Sequence, residues 1–171
     1  MEEVRAEVVV VDGALSLVYW ILGDLGSIRI PAVSPGGRAD ALWSHTCCEA
    51  FVARPGDPGY RELNLAPSGQ WQSYGFCGYR EGGTPLAAAA PRISCRLAAD
   101  RLVLEAWIPG DWLPSGTDLR LGLAVVLEDL DGGLSYWALR HPSGRPDFHW
   151  PDAWIGAIHR PATRTPPPPG R

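Results

Sequence analysis

Residues 43–52 read WSHTCCEAFV and set a Trp, a His, two adjacent thiols and a carboxylate close together. Four chemistries use such residues: metal ligation, thiol redox, Cys-His nucleophilic catalysis and aromatic ring binding. If the segment is one strand, side chains alternate, so Trp43, His45, Cys47, Glu49 and Phe51 share one face and Cys48, Ala50 and Val52 the other. The adjacent thiols then point opposite ways, which argues against a vicinal disulfide or joint chelation, and one thiol packs in the core as a small hydrophobe. His45 and Cys47, two residues apart, are spaced to give a strand two zinc ligands. No second pair at ligand spacing follows, because His141 and His149 are separated by a Pro/Gly loop. A Cys-His nucleophile needs a third orienting group and an oxyanion hole, and no complete catalytic constellation is visible.

YRELNL at 60–65 alternates Tyr60, Glu62 and Asn64 against Arg61, Leu63 and Leu65. An aromatic with a carboxylate and an amide on one strand face reads either as solvated surface or as a fork for sugar hydroxyls. Glu49 and Glu62 as a glycosidase pair would need a fixed separation across a cleft. Farther on, the segment 134–154 gathers Trp137, Arg140, His141, Arg145, Asp147, His149 and Trp150. Its loop from 141 to 153 is long for a sandwich connection, and such loops are more often binding elements than spacers. Asp129 and Asp131 resemble a fragment of a calcium loop, but without further ligands they read as hairpin residues.

The elements that must position these residues are strands. Short runs rich in Val, Leu, Ile, Tyr and Trp alternate with Gly, Pro and Asp turns, and helical spacing is scarce. About eleven strands are expected, at 5–11, 15–22, 26–30, 47–53, 60–65, 70–76, 92–97, 101–108, 120–128, 134–139 and 154–159. That pattern predicts an all-β, antiparallel two-sheet β-sandwich of jelly-roll or immunoglobulin-like type. Asp12-Gly13 and LDGG at 130–133 suit tight hairpins, and Pro67 with Ser68-Gly69 suits a turn. The stretch 80–91 reads as a loop or a short helical turn. Residues 1–160 form the expected single domain, and the proline-rich 161–171 is expected to be a disordered tail.

With 171 residues, 46% of them hydrophobic, the chain can close one core. Its net charge of −4 and scattered arginines lack the basic stripe of a nucleic-acid or anionic-membrane binder. The acidic start and the interruption at Asp12-Gly13 fit neither a signal peptide nor a membrane span, so a cytoplasmic location and reduced cysteines are expected.

Three blocks, LWSHTCCEAFV, YRELNLAPSGQWQSYGFCGYR and DLDGGLSYWALRHPSGRPDFHW, make residues 42–159 similar to the DOMON-like group of family 9 carbohydrate-binding modules, bacterial β-sandwich domains. The resemblance implies that Trp43 and Trp137 clamp a sugar ring, that Glu49 supplies the first carboxylate and Asn64 the amide, with Arg140, His141 and His149 as rim contacts. Pyranose C–H faces stack on aromatic rings and leave hydroxyls at the edge for polar partners. One departure is a charge reversal: sugar-binding members carry Arg two residues before that Asn, where this chain has Glu62. One geometric condition also applies. Six extended residues span roughly 20 Å, so Trp43 joins Glu49 only if the chain folds back before Cys47. The wider DOMON superfamily includes Met/His haem proteins; the single Met here leaves only a bis-His site from His45, His141 and His149.

The expected function is therefore non-catalytic binding of a small carbohydrate or similar polar molecule, with no cofactor. A metal or haem domain (zinc, calcium or haem) and a ligand-free structural adaptor are the alternatives. The residues leave the oligomeric state open.

Overall fold

The computed structural model describes residue 1 and residues 3–160 of the chain; the proline-rich segment lies outside the described residues. Twelve strands run in chain order. They are β1 (Glu3–Val11), β2 (Ala14–Leu22), β3 (Gly37–Arg38), β4 (Cys47–Ala53), β5 (Tyr60–Leu65), β6 (Gln70–Gly78), β7 (Glu81–Pro85), β8 (Arg92–Leu97), β9 (Arg101–Ile108), β10 (Asp118–Glu128), β11 (Leu134–Ala138) and β12 (Gly156–His159). Among the described residues the only helical pieces are short 3-10 turns.

The strands form two packed sheets. One has the order β1-β2-β9-β8, and the other β11-β10-β4-β5-β6-β3, with β7 added to β6 and β12 added to β10. The expected sandwich is therefore present. All pairings are antiparallel except the two-residue contact of β3 with β6. Alternation explains why the sheets face each other. Leu15, Leu17, Tyr19 and Ile21 of β2 and Leu102, Leu104, Ala106 and Ile108 of β9 turn inward, against Leu119, Leu121, Leu123, Val125 and Leu127 of β10 and Cys48, Ala50 and Val52 of β4. Removing this apolar surface from water, at about 25 cal/mol per Å², holds the layers together.

β4 does not alternate between buried and exposed; all seven of its residues are buried. Its inner set lies in the main core. On the outer face, Phe51 and Ala53 join Tyr60, Ala124, Val126, Phe148, Ala153 and Trp154 in a second apolar cluster. A loop layer thus roofs part of the larger sheet, and the uncovered remainder of that face carries the polar residues. Cys47 and Cys48 are both buried, on opposite faces, and unbonded.

Turn chemistry sets the registers. Asp12 and Gly13 both have positive φ (50° and 79°), the geometry of a type I′ hairpin. At the β10–β11 hairpin, Asp129 Oδ1 accepts from the N–H groups of Asp131 and Gly133 at 3.0 and 2.7 Å, so this aspartate closes a turn.

Three expectations about elements need correction. Residues 26–30 are no strand: Leu25–Ser27 is a 3-10 turn capped by Asp24, and Ile28 makes one isolated bridge to Asp129. Its backbone is satisfied by the end of β10 instead, through Arg29 N–H to Glu128 O and Leu130 N–H to Ser27 O. Within 80–91, residues 81–85 form β7, because positive φ at Arg80, Gly82 and Gly83 turns the chain back onto β6 with a bulged register. The last strand begins only at Gly156, after a 3-10 turn at Pro151–Ala153. The outer edge of β10 is shared: β11 covers its C-terminal part and β12 its N-terminal part, with residues 139–155 looping between them.

Candidate functional site

A cleft of about 620 Å³ opens on the outer face of the larger sheet. Cross-strand register explains its floor. Ala124, Glu49, Asn64 and Gln72 lie in one row across β10, β4, β5 and β6; Gly122, Phe51, Glu62 and Tyr74 form the next; Ala53, Tyr60 and Phe76 form the third. Glu49 and Glu62 are thus diagonal neighbours on adjacent strands. Glu49, Glu62, Tyr74 and Phe76 line the cleft, with Trp43, Tyr136, Arg80, Arg145, Asp147, Phe148 and His149 around them.

The chain does fold back before β4. Leu42–Ser44 is a 3-10 turn entered through Ala41 in the left-handed region (φ 58°), and the N–H groups of Ser44 and His45 donate to Ala41 O and Leu42 O. Leu42 is buried as the anchor, while Trp43 stays 54% exposed and presents its ring to the cleft.

Glu49 and Glu62 are only 3% and 4% exposed. Burial pushes the Glu49 carboxyl well above the ordinary carboxylate range, and the Glu62 charge adds to the push. Burial also raises Glu62, to about 7, although the Asn64 hydrogen bond works in the opposite sense. That bond runs from Asn64 Nδ2 to Glu62 Oε1 at 2.8 Å. Asn64 Oδ1, fully buried, has no partner.

His149 is fixed from both sides. The Arg80 N–H donates to Tyr60 Oη at 3.2 Å, so the tyrosine proton is directed to His149 Nδ1, 2.7 Å away. Burial lowers His149 to about 4, with the Arg80 charge acting in the same direction, and holds Tyr60 up at about 12. We assign the neutral tautomer with hydrogen on Nε2, which lies 3.7 Å from Glu62 Oε2. Asp147 pins the wall: it accepts from Arg80 Nη2 and His149 N–H at 2.8 and 3.0 Å, and from Tyr79 Oη. Trp154 stacks on Phe51 at 5.9 Å and donates to Phe148 O, which ties the loop to the sheet. Gly122 gives Trp154 its seat, since a Cβ there would stand 2.9 Å from Trp154 Cγ.

Of the residues singled out from sequence, Trp43, Glu49, Glu62, Arg145, Asp147 and His149 meet at this cleft. Asn64 lies beneath it and acts on it through Glu62. Trp137 does not belong with them. Opposed residues of an antiparallel pair share a face, and Trp137 opposes the inward Val125, so its ring packs on the main core while Tyr136, opposite Val126, faces the cleft. Trp43 and Trp137 therefore do not share one cleft, and the aromatic of β11 that lines it with Trp43 is Tyr136. Arg140 and His141 are exposed and do not line the cleft; the His141 ring sits 6.1 Å from Phe148. His45 bonds Glu128 at 2.7 Å, and Cys47 is buried with Leu42 and Ala66, so neither turns toward the other as a ligand pair requires. Among the described residues no three His, Cys, Asp or Glu side chains gather as a metal site.

Sequence reasoning missed Tyr74, Phe76, Arg80, Tyr136 and Phe148. Tyr74 and Phe76 are two and four residues beyond Gln72, and strand alternation alone would have found them. Arg80 carried no such signal, because its pairing with Asp147 joins residues 67 positions apart.

No family model matches the sequence, and no curated protein matches it either. Solved structures do. A protein from Bacteroides uniformis ATCC 8492 proposed to bind carbohydrate is similar at TM-score 0.68 and 19% identity, over 92% of this chain and 78% of that one. A family 9 carbohydrate-binding module from Caldicellulosiruptor kristjanssonii in complex with cellotriose is similar at TM-score 0.56 and 15% identity, over 98% and 82%. The same kind of module from that organism in complex with glucose gives 0.55 and 14%, over 97% and 83%. These likenesses span nearly the whole chain, and the fold is a two-sheet β-sandwich like that of family 9 carbohydrate-binding modules.

Proposed function

We propose that this chain binds the ring of a small carbohydrate, without catalysing its cleavage, in the cleft between Trp43 and Tyr136. The observation that carries this is an open cleft lined by aromatic rings and floored by Glu49 and Glu62, with the Glu49 carboxyl making no hydrogen bond among the described residues. Aromatic faces suit the C–H face of a pyranose, and the carboxyls suit donors at its edge. The solved modules of the same fold that hold cellotriose and glucose support the reading. Glycoside cleavage with inversion needs an acid and a base on opposite faces of the ring, whereas Glu49 and Glu62 rise from one floor. A ligand-free adaptor would have its polar residues satisfied by one another, which Asn64 Oδ1 is not.

The test is a calorimetric titration with glucose, cellobiose and their amino and N-acetyl derivatives, repeated on Trp43→Ala. Saturable binding that Trp43→Ala weakens supports the proposal. No binding by any of these sugars overturns it.

A further inference from the structure

The cleft floor carries hydrogen-bond acceptors without donors to match them. Glu49 is 3% exposed and lines the cleft, and among the described residues nothing donates a hydrogen bond to its carboxyl. Glu62 receives one N–H, from Asn64, on Oε1, and its Oε2 faces His149 Nε2 only at 3.7 Å. Asn64 Oδ1, directly across the strand pair from Glu49, is buried and unsatisfied. Buried acceptors left in this state cost free energy that a donor-rich partner recovers. The chain's own cations do not supply the donors. Arg80 is bound to Asp147 on the wall, Arg38 is spent on Gln72 and the carbonyls of Leu86 and Ala88, and Arg145 stands exposed at the rim, where solvent screens it.

A neutral sugar hydroxyl brings one donor and acceptor lone pairs as well. An ammonium group brings three donors, no acceptor and a positive charge. The aromatic side chains that line the cleft, Trp43, Tyr74, Phe76 and Tyr136, are of a kind that favours a cation as well as a pyranose C–H face. We infer that the preferred ligand is an amino sugar with a free ammonium group, seated with its nitrogen between Glu49 and Glu62 and its ring against Trp43 and Tyr136. This rests on the carbohydrate-binding reading above and names the sugar class. It also gives the position of Glu62 a chemical meaning: a carboxylate there selects for a cation, as an arginine would select against one. Burial keeps a proton on the carboxyl floor of the empty site, and the ammonium takes that proton's place.

The experiment compares glucosamine, glucose, N-acetylglucosamine and choline by calorimetry at about pH 6, below the ordinary amine range. Glucosamine is expected to bind roughly ten- to a hundredfold more tightly than glucose or N-acetylglucosamine, as a charged hydrogen bond into a buried carboxylate implies. In Glu49→Gln and Glu62→Gln the ratio of glucosamine to glucose affinity should fall toward one. Glucose binding with glucosamine no tighter overturns the inference and leaves the carbohydrate reading standing. Choline binding as tightly as glucosamine overturns the sugar part in favour of a bare cation cage. Failure of all three sugars overturns both. The comparison on the wild-type chain needs no variant to fold.

Discussion

Replacing Glu49 by Gln should change how the empty protein's stability depends on pH. In the unfolded chain Glu62 and His149 titrate near 4.5 and 6.5, and in the folded chain near 7 and 4, the order reversed. Between about pH 4.5 and 6.5 the pair holds one proton in either state, so it adds no slope there. Glu49 differs. Its folded-state pKa lies well above 4.5, raised by burial and then by Glu62, so above pH 4.5 the folded state keeps a proton that the unfolded state has released. The stability from this group is complete below pH 4.5 and is lost as pH rises toward the folded value. The slope from one such proton is at most about 1.4 kcal/mol per pH unit. Arg80 limits the shift but does not reverse it. The lowered carboxylates Glu3, Asp57, Glu105, Asp118 and Asp147 titrate below this window. Urea unfolding followed by Trp fluorescence at about pH 5 and 6.5 measures the difference, and its slope with denaturant shows whether the mutation altered the states themselves. The wild type should lose stability over that interval, by at most about 2 kcal/mol, and Glu49→Gln should be nearly flat. An equal slope in both proteins, or a wild type that gains stability with pH, would refute the assignment of a buried proton to Glu49.

Three further outcomes follow from the packing. Trp43→Ala, at a half-exposed position, should weaken sugar binding by about tenfold while shifting stability by less than about 1 kcal/mol, read by calorimetry and thermal melting. Trp137→Ala should do the reverse, costing about 2 kcal/mol in urea unfolding and leaving sugar affinity within about twofold, because its ring packs on the main core. Gly122→Ala should cost about 1–3 kcal/mol and weaken binding as well, since the added methyl displaces Trp154 and, through its bond to Phe148 O, the loop that walls the cleft; unchanged stability would show that the indole has room to move.

Much of the sandwich was legible because period-two alternation and turn chemistry agree. The strands at 47–53, 60–65, 92–97 and 101–108 have the bounds read from the residues alone. What escaped was structure fixed by partners distant in sequence. β3 exists as two residues beside β6, and β7 depends on positive φ at two glycines that composition alone reads as a loop. At the site, Glu49 and Glu62 were visible because each sits on a regular strand. Trp137 was misplaced by one residue. Tryptophan is the larger aromatic, but face is decided by register: the Asp129 turn pairs Glu128 with Leu134, which turns Tyr136 outward. Trp43 was reachable only through the left-handed Ala41, which no local pattern announces.

The divided edge of β10 has a consequence for how such a protein can change. An eleven-residue strand with a bare edge would be a template for pairing with other chains, and two short strands cover it in turn. Because that cover is discontinuous, residues 139–155 leave the ladder after β11 and rejoin it at β12, crossing the outer face with Asp147, Phe148 and His149 on the way. Insertions or substitutions between these two anchor points alter one wall of the cleft without shifting the register of either sheet. One wall of the cleft and the two sheets are therefore carried on separate stretches of the chain, and the first can be remodelled while the second stays constant.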